Sequence, residues 1–302
     1  MSSSSEAPGF YKKKPSERLD FVKNFANLSD DEAATISGYG ALGEETANRM
    51  IENVIGTFPL PLGVAANFLI NEKEYMVPMA VEEPSVVAAA THMAKGAREL
   101  GGIDADSDEP VMIGQIQLVN LEDPFKAKES ILERKDEIIN LANEQDPILV
   151  KFGGGCKGIE VRVLDSQTGP MIITHLLVDC RDAMGANAVN TMAETIAPKV
   201  ESITGGTVIL RIISNLAVHR LARVSAIFTR EEMSDDGKDV KRGEEIIDGV
   251  IQAYHFAAAD PFRATTHNKG IMNAISPIAI ACGQDWRAIE SGAHSYASYN
   301  RE

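Results

Sequence analysis

Four short runs of the chain hold residue types capable of acting on a substrate. AVEEPSVVAAA at 80–90 sets two carboxylates, Glu82 and Glu83, at a strand end ahead of Pro84. The plain reading is solvated acids favoured by the helix dipole, and a proton-donating role needs one of them partly buried. DPFRATTHNKGIMN at 260–273 and GQDWRA at 283–288 place Arg263, His267, Lys269, Asn273 and Asp285 in apolar surroundings. Lysine is rarely buried without a partner. Lys269 is therefore either half of a self-satisfied Lys–Asp pair or an electrophile for a developing oxyanion. DCRDAMGAN at 179–187 ends an apolar strand at Val178 and opens a helix near Met184 or Gly185, with Asp182 as a candidate cap. Small residues there let a ligand approach the backbone, and free N–H groups at a helix start suit a pyrophosphate. An ordinary capped turn fits the run equally well. FGGGCKG at 152–158 satisfies G-x-G-x-x-G through Gly153, Gly155 and Gly158. The residues that follow, IEVRVL, alternate as a strand, so a loop is favoured over a dinucleotide fingerprint.

Those runs need a scaffold, and the hydrophobic spacing supplies it. Residues 1–9 read as a disordered tail, and a helix starts at Pro15 with Leu19, Phe21, Val22 and Phe25 near helical spacing. Ser29 followed by Asp30, Asp31 and Glu32 reads as an N-cap with an acidic first turn. A helix is expected over 43–57. Ala65–Ile70 and Tyr75–Val81 read as strands joined at Asn71-Glu72, and Pro84 opens a helix ended by Gly101-Gly102. Next come a strand at Val111–Val119, a helix at Asp123–Asn143, strands at Ile159–Leu164 and Met171–Val178, a helix at Ala186–Ser202 and a strand at Val208–Ile213. That β-α-β-β-α-β order predicts a ferredoxin-like split βαβ module. The fold class is α+β: a large helix-rich domain in two parts, 1–109 and 216–302, with the small domain inserted at 110–215. Arg230–Lys241 reads as a solvated loop and Glu244–Phe256 as a helix.

The chain has 302 residues, with 29 Lys and Arg against 44 Asp and Glu, a net charge of −15. Such acidity argues against a nucleic-acid surface, which needs clustered cations. No apolar run approaches the ~20 residues of a membrane span, and the N-terminus has no apolar signal region. Three cysteines without a CxxC pair point to a reducing cytoplasm.

Taken together the motifs resemble 3-hydroxy-3-methylglutaryl-CoA (HMG-CoA) reductase of the second, bacterial and archaeal class. The resemblance runs from about Phe10 to Tyr299 and is carried by MIENVIGTFPLP at 50–61, VPMAVEEPSVVAAA at 77–90, VDCRDAMGANAVNTMAE at 178–194, ITGG at 203–206, ISNLA at 213–217, THNKGIMN at 266–273 and DWRAIESGAHSYA at 285–297. It implies a large domain with an inserted ferredoxin-like domain. By motif, the catalytic Glu is Glu83, the catalytic Lys is Lys269 and the catalytic Asp is Asp285. Asp182, Met184, Gly185 and Asn187 match the dinucleotide-binding turn, and Ser85, Asn215, Arg263 and Asn273 match the substrate pocket.

The implied reaction is a two-hydride exchange between HMG-CoA and mevalonate plus CoA, in the cytoplasm, by a homodimer whose pocket receives the Glu52–Gly56 run. Lys269 would stabilise the charge formed on the substrate oxygen, Glu83 would deliver a proton and Asp285 would orient Lys269. Arg263 suits the free carboxylate of the substrate. Asp146 matches an acid facing the adenine ribose, which favours NAD(H) over NADP(H) by repelling a 2′-phosphate. Lys12-Lys13-Lys14 is the basic patch expected for coenzyme A, although the family's neighbouring Arg position reads Tyr11. No metal is expected. The sequence ends at Glu302, ahead of the family's C-terminal flap and its thiolate-protonating His, and His92, His175, His219, His255, His267 and His294 lie in other settings. The expectation is impaired thioester chemistry with mevaldehyde reduction retained in part. The alternative is a poorly catalytic dimer that binds CoA and dinucleotide.

Overall fold

The structure is a computed structural model that describes residues 4–38, 40, 42–234 and 237–299. The N-terminal part holds α1 (Pro15–Ala26), α2 (Asp30–Ser37), α3 (Glu44–Met50), β1 (Leu62–Ile70), β2 (Lys73–Ala80), α4 (Val86–Ala97) and β3 (Ile103–Ser107). The middle holds β4 (Val111–Val119), α5 (Pro124–Glu133), α6 (Lys135–Asn143), α7 (Pro147–Lys151), β5 (Gly155–Leu164), β6 (Met171–Asp179), α8 (Ala186–Thr204) and β7 (Thr207–Ser214). Then follow β8 (Ala222–Ala226), α9 (Val240–Ala259), α10 (Pro261–Ala281) and α11 (Trp286–Ser298). The chain folds as two compact units, one of Met1–Ala105 with Val224–Trp286, the other of Asp106–Arg223 with Arg287–Glu302.

In the smaller unit the sheet order is β5-β6-β4-β7, and every neighbouring pair is antiparallel. This is the ferredoxin-like order expected from the sequence. Period-two alternation turns Ile116 and Leu118 of β4 and Ile172, Leu176 and Val178 of β6 to one face. Ile131, Ile138, Met192 and Ile196 of the helices pack there, and all nine side chains are buried. The helix expected over 123–143 is split at Arg134, which leaves helical geometry (φ −107°, ψ 17°) and shares its N–H between two carbonyls. The C-terminal stretch from Arg287 groups with this unit, where the division read from the sequence joins it to the large domain. Gly292 of α11 lies against this unit, its lack of a side chain admitting the Asn215 carbonyl.

In the larger unit β1 and β2 form a hairpin whose turn residues Asn71 and Glu72 take left-handed φ of 49° and 63°. The sheet order is β2-β1-β3-β8. Ala65, Met79 and Val86 form a small core with Phe68, Ala274 and Ile278, so α4 and α10 are both fastened to the hairpin. Ser29 caps α2 through the Glu32 N–H with a reciprocal capping box, as its sequence predicts.

Two expectations are corrected here. The helix expected over 43–57 stops at Met50: Ile51 is extended, Asn53 has φ 57°, and prolines at 59 and 61 prevent its resumption. The tail expected over 1–9 is fastened from Ser5 onward, residues 1–3 lying outside the described ones. Ser5 is fully buried, its N–H donates to Glu74 at 3.0 Å, and its carbonyl accepts from Asn67 N–H at 3.2 Å. Polar composition reads as disorder, yet these buried hydrogen bonds suffice to hold the segment.

Candidate active site

Glu83 follows the end of β2, in a bend that leads to Ser85 at the start of α4. Ser85 holds a left-handed φ of 71°, which is strained for a residue with a side chain. Lys269 comes from the middle of α10, and its Nζ lies 3.2 Å from Glu83 Oε2. The two are 186 residues apart in sequence. Their side chains are 61% and 44% exposed, so water reaches the pair and screens it.

Asn273 stands one helical turn beyond Lys269, and with Glu83, Ser85, Met93 and Gly270 it lines a cleft of about 310 Å³. Glu83 and Ser85 also line a larger cleft of about 1860 Å³. Its walls include Leu60, Val64 and Val87, with cationic or titratable groups at Lys14, Arg18, His92 and Lys95. Of the expected lysine patch, Lys14 reaches this lining while Lys12 and Lys13 do not. Lys95 escaped the sequence reading, and His92 was set aside there with the other histidines. Their signal is the phase of α4, where residues 85, 88, 92 and 95 share one helix face. Arg263 lies in the first turn of α10, where its N–H donates to Asp260 at 2.7 Å, and it lines neither cleft. Asp285 is half-buried just beyond the end of α10.

The other six candidates lie in the smaller unit. Gly185 caps α8 with φ 98°, and a Cβ there would overlap Cys180 Sγ. Only glycine fits a left-handed cap with no room for a side chain. Asp182 is exposed and does not cap the helix, because the chain reaches α8 through Gly185 and no side chain serves as cap. Met184 is half-buried, and Asn187 is exposed in the first turn of α8. Asp146 caps α7, its carboxylate accepting the Leu149 N–H at 2.8 Å. Asn215 is exposed at the end of β7.

The FGGGCKG run proves to be packing, and the loop expected there holds only for residues 152–154, because β5 already starts at Gly155. A Cβ on Gly154 would strike Leu149 and the Asp179 carbonyl, and one on Gly155 would strike Asn143. Arg181 bonds the Gly153 carbonyl at 2.8 Å and pairs with Asp179. The glycine loop thus ties α7, and with it Asp146, to the turn after β6. Burial pushes the Cys156 and Cys180 thiols up to about 11, which keeps both inert. His175 is buried against Gln115 at 3.0 Å, and burial holds it below the usual histidine range, as befits a packing residue. Among the described residues no group of three or more His, Cys, Asp or Glu is placed to hold a metal ion, and no helix is long and apolar enough to cross a membrane.

A hairpin-and-helix unit carrying a Glu–Lys pair and a ferredoxin-like unit with a glycine-capped helix start define a two-unit α+β protein. The family model for hydroxymethylglutaryl-coenzyme A reductase matches residues 14–302. The 3-hydroxy-3-methylglutaryl-coenzyme A reductase of Archaeoglobus fulgidus is 59% identical over 98% of this chain and 66% of its own length. A probable reductase of the same description from Borreliella burgdorferi is 30% identical over 93% of this chain and 62% of its own. A Streptococcus pneumoniae class II reductase bound to NADPH superposes with a TM-score of 0.92 at 39% identity, covering 97% of this chain and 79% of that one. The chain belongs to the hydroxymethylglutaryl-coenzyme A reductase family. It spans just under two thirds of the length of these two curated relatives.

Proposed function

We propose that the protein interconverts HMG-CoA and mevalonate plus CoA by two successive hydride transfers. The observation that carries this reading is the Glu83–Lys269 pair, 3.2 Å apart, whose Glu83 lines both clefts. Lys269 presents fixed positive charge to a substrate oxygen as it gains charge. Glu83 stands within hydrogen-bond reach of the same point and passes a proton there. Asp285 orients Lys269, Ser85 and Asn273 position the substrate, and Arg263 takes its free carboxylate. Lys14, Arg18 and Lys95 suit the phosphates of coenzyme A.

A bound nicotinamide dinucleotide would supply hydride. The residues fit one: no side chain caps the start of α8, which leaves its first N–H groups to a phosphate approaching the helix start, while Gly185 itself packs on Cys180. Asp182, Met184, Gly185 and Asn187 line that approach. Asp146 supports NAD(H), because a carboxylate accepts ribose hydroxyls and repels a 2′-phosphate. The Streptococcus pneumoniae neighbour was solved with NADPH, so the choice of dinucleotide is decided by experiment. We further read the protein as a cytoplasmic homodimer, supported by three free cysteines and by exposed Ile51, Ile55 and Phe58 around the Glu52–Gly56 run.

The test follows NADH and NADPH absorbance with mevaldehyde and CoA, for this chain and its Lys269→Ala variant. Oxidation that disappears in the variant supports the reading. Oxidation equal in both would remove Lys269 from the chemistry.

A further inference from the structure

The turn between β6 and α8 is gripped from one side by a single side chain that no motif singled out. Arg220 donates from Nη1 to the Ala183 carbonyl at 2.9 Å and the Met184 carbonyl at 3.5 Å. Its Nη2 reaches the Arg181 carbonyl at 3.4 Å. The first is a full hydrogen bond and the other two are longer, electrostatic ones. A trans peptide is planar, so the N–H across each of these bonds points opposite to its carbonyl. The N–H groups of Asp182, Met184 and Gly185 are therefore turned to the face away from the guanidinium. The unpaired N–H groups of the first turn of α8 follow directly in the chain. The Ala183 N–H is taken by the Cys180 carbonyl at 3.2 Å, so the successive N–H groups facing one way are those of Met184 and Gly185 with the start of α8, and such a run makes a concavity for an anion. No side chain of the turn caps the helix, and Arg181 is committed to Asp179 and the Gly153 carbonyl.

We propose that Arg220 is a positioning residue for dinucleotide binding: it holds the 181–185 backbone so that its N–H groups face a pyrophosphate, and does not itself touch the ligand. This rests on the dinucleotide use proposed above. The role depends on the fork. A guanidinium offers five donors in one plane, whereas an ammonium is a compact point donor that grips fewer carbonyls at less fixed angles. Retaining the charge alone does not retain the function.

The test measures NADH binding by nicotinamide fluorescence, and ADP-ribose binding by calorimetry, for the full chain and for Arg220→Ala and Arg220→Lys. Arg220→Ala is expected to weaken both ligands about tenfold, with the KM for mevaldehyde and the thermal midpoint unchanged. Arg220→Lys is expected to recover less than half of that loss on a logarithmic scale. Wild-type affinity in Arg220→Ala overturns the proposal, as does full recovery in Arg220→Lys, which would assign the effect to charge. Should Arg220→Ala not melt cooperatively, Arg220→Lys decides alone: a loss of about threefold or more supports the proposal, and unchanged affinity overturns it. A wild-type chain that binds neither NADH nor NADPH sinks the functional reading and this inference together. Normal wild-type binding with indifferent variants sinks only the inference.

Discussion

At the scale of single residues, Glu83 and Lys269 show what identity and place each contribute. An exposed carboxylate–ammonium pair adds little to stability, roughly 0–1 kcal/mol, so the pair is poorly explained as a structural device. Lys269→Ala and Glu83→Gln should therefore each leave the melting temperature within a degree or two while lowering turnover by about 10²–10⁴-fold. Parallel melting curves and NADH-oxidation rates check this, and a variant that loses stability in step with activity would mark a structural pair instead. Gly185 is the opposite case. Any side chain there meets both a left-handed φ and the Cys180 sulfur. Gly185→Ala should cost about 2–3 kcal/mol in urea unfolding and abolish measurable NADH binding. A variant of native stability and affinity would show that the turn yields easily.

At the scale of elements, the hairpin β1–β2 is tied to α4 and to the N-terminal segment by one cluster. Arg98 bonds both oxygens of Glu74, at 2.7 and 2.9 Å, and bonds the Asn67 carbonyl at 3.1 Å, while Ser5 joins the same carboxylate. The Arg98 guanidinium holds the Glu74 carboxyl far below its ordinary 4.5, at about 2. The folded value lies below the unfolded one, so this stabilisation is fully present above pH 4.5 and is lost as pH falls towards 2. Glu74→Gln should cost about 3 kcal/mol at pH 7, because it strands a largely buried guanidinium. It should also flatten the acid limb of stability over that window. Melting temperatures of both proteins from pH 7 to pH 2 decide it, and parallel curves would exclude Glu74 as the source.

At the scale of the whole molecule, a net charge of −15 coexists with large apolar side chains in water. Ile55 is 104% exposed and Phe58 89%, in the irregular stretch that follows Met50. Exposed apolar side chains of this size are the kind an interface buries, which is the basis of the homodimer proposed above. Replacing both, Ile55→Asp with Phe58→Asp, should convert a dimer to a monomer in light scattering and lower reductase turnover with it. A wild-type chain of monomeric mass at micromolar concentration would refute the dimer.

The ferredoxin-like unit was legible in the chain because its signals are local: period-two strands, a proline-led helix and glycine-closed turns recur in an order that few sheets satisfy. The capping of α2 by Ser29 and the hairpin at Asn71-Glu72 were legible for the same reason, since each is decided within four residues. The candidate proton donor, Glu83, and the candidate oxyanion stabiliser, Lys269, were visible as motifs, but their pairing was not, because it depends on α10 and α4 packing on the same hairpin through Ala274, Ile278 and Val86. The Glu83–Lys269 ion pair, the anchoring of Ser5, and the grip of Arg220 on a turn 36 or more residues upstream all rest on long-range contacts. Spacing along a chain encodes what neighbours do. Which distant groups meet is set only when burying the apolar faces brings their backbones together.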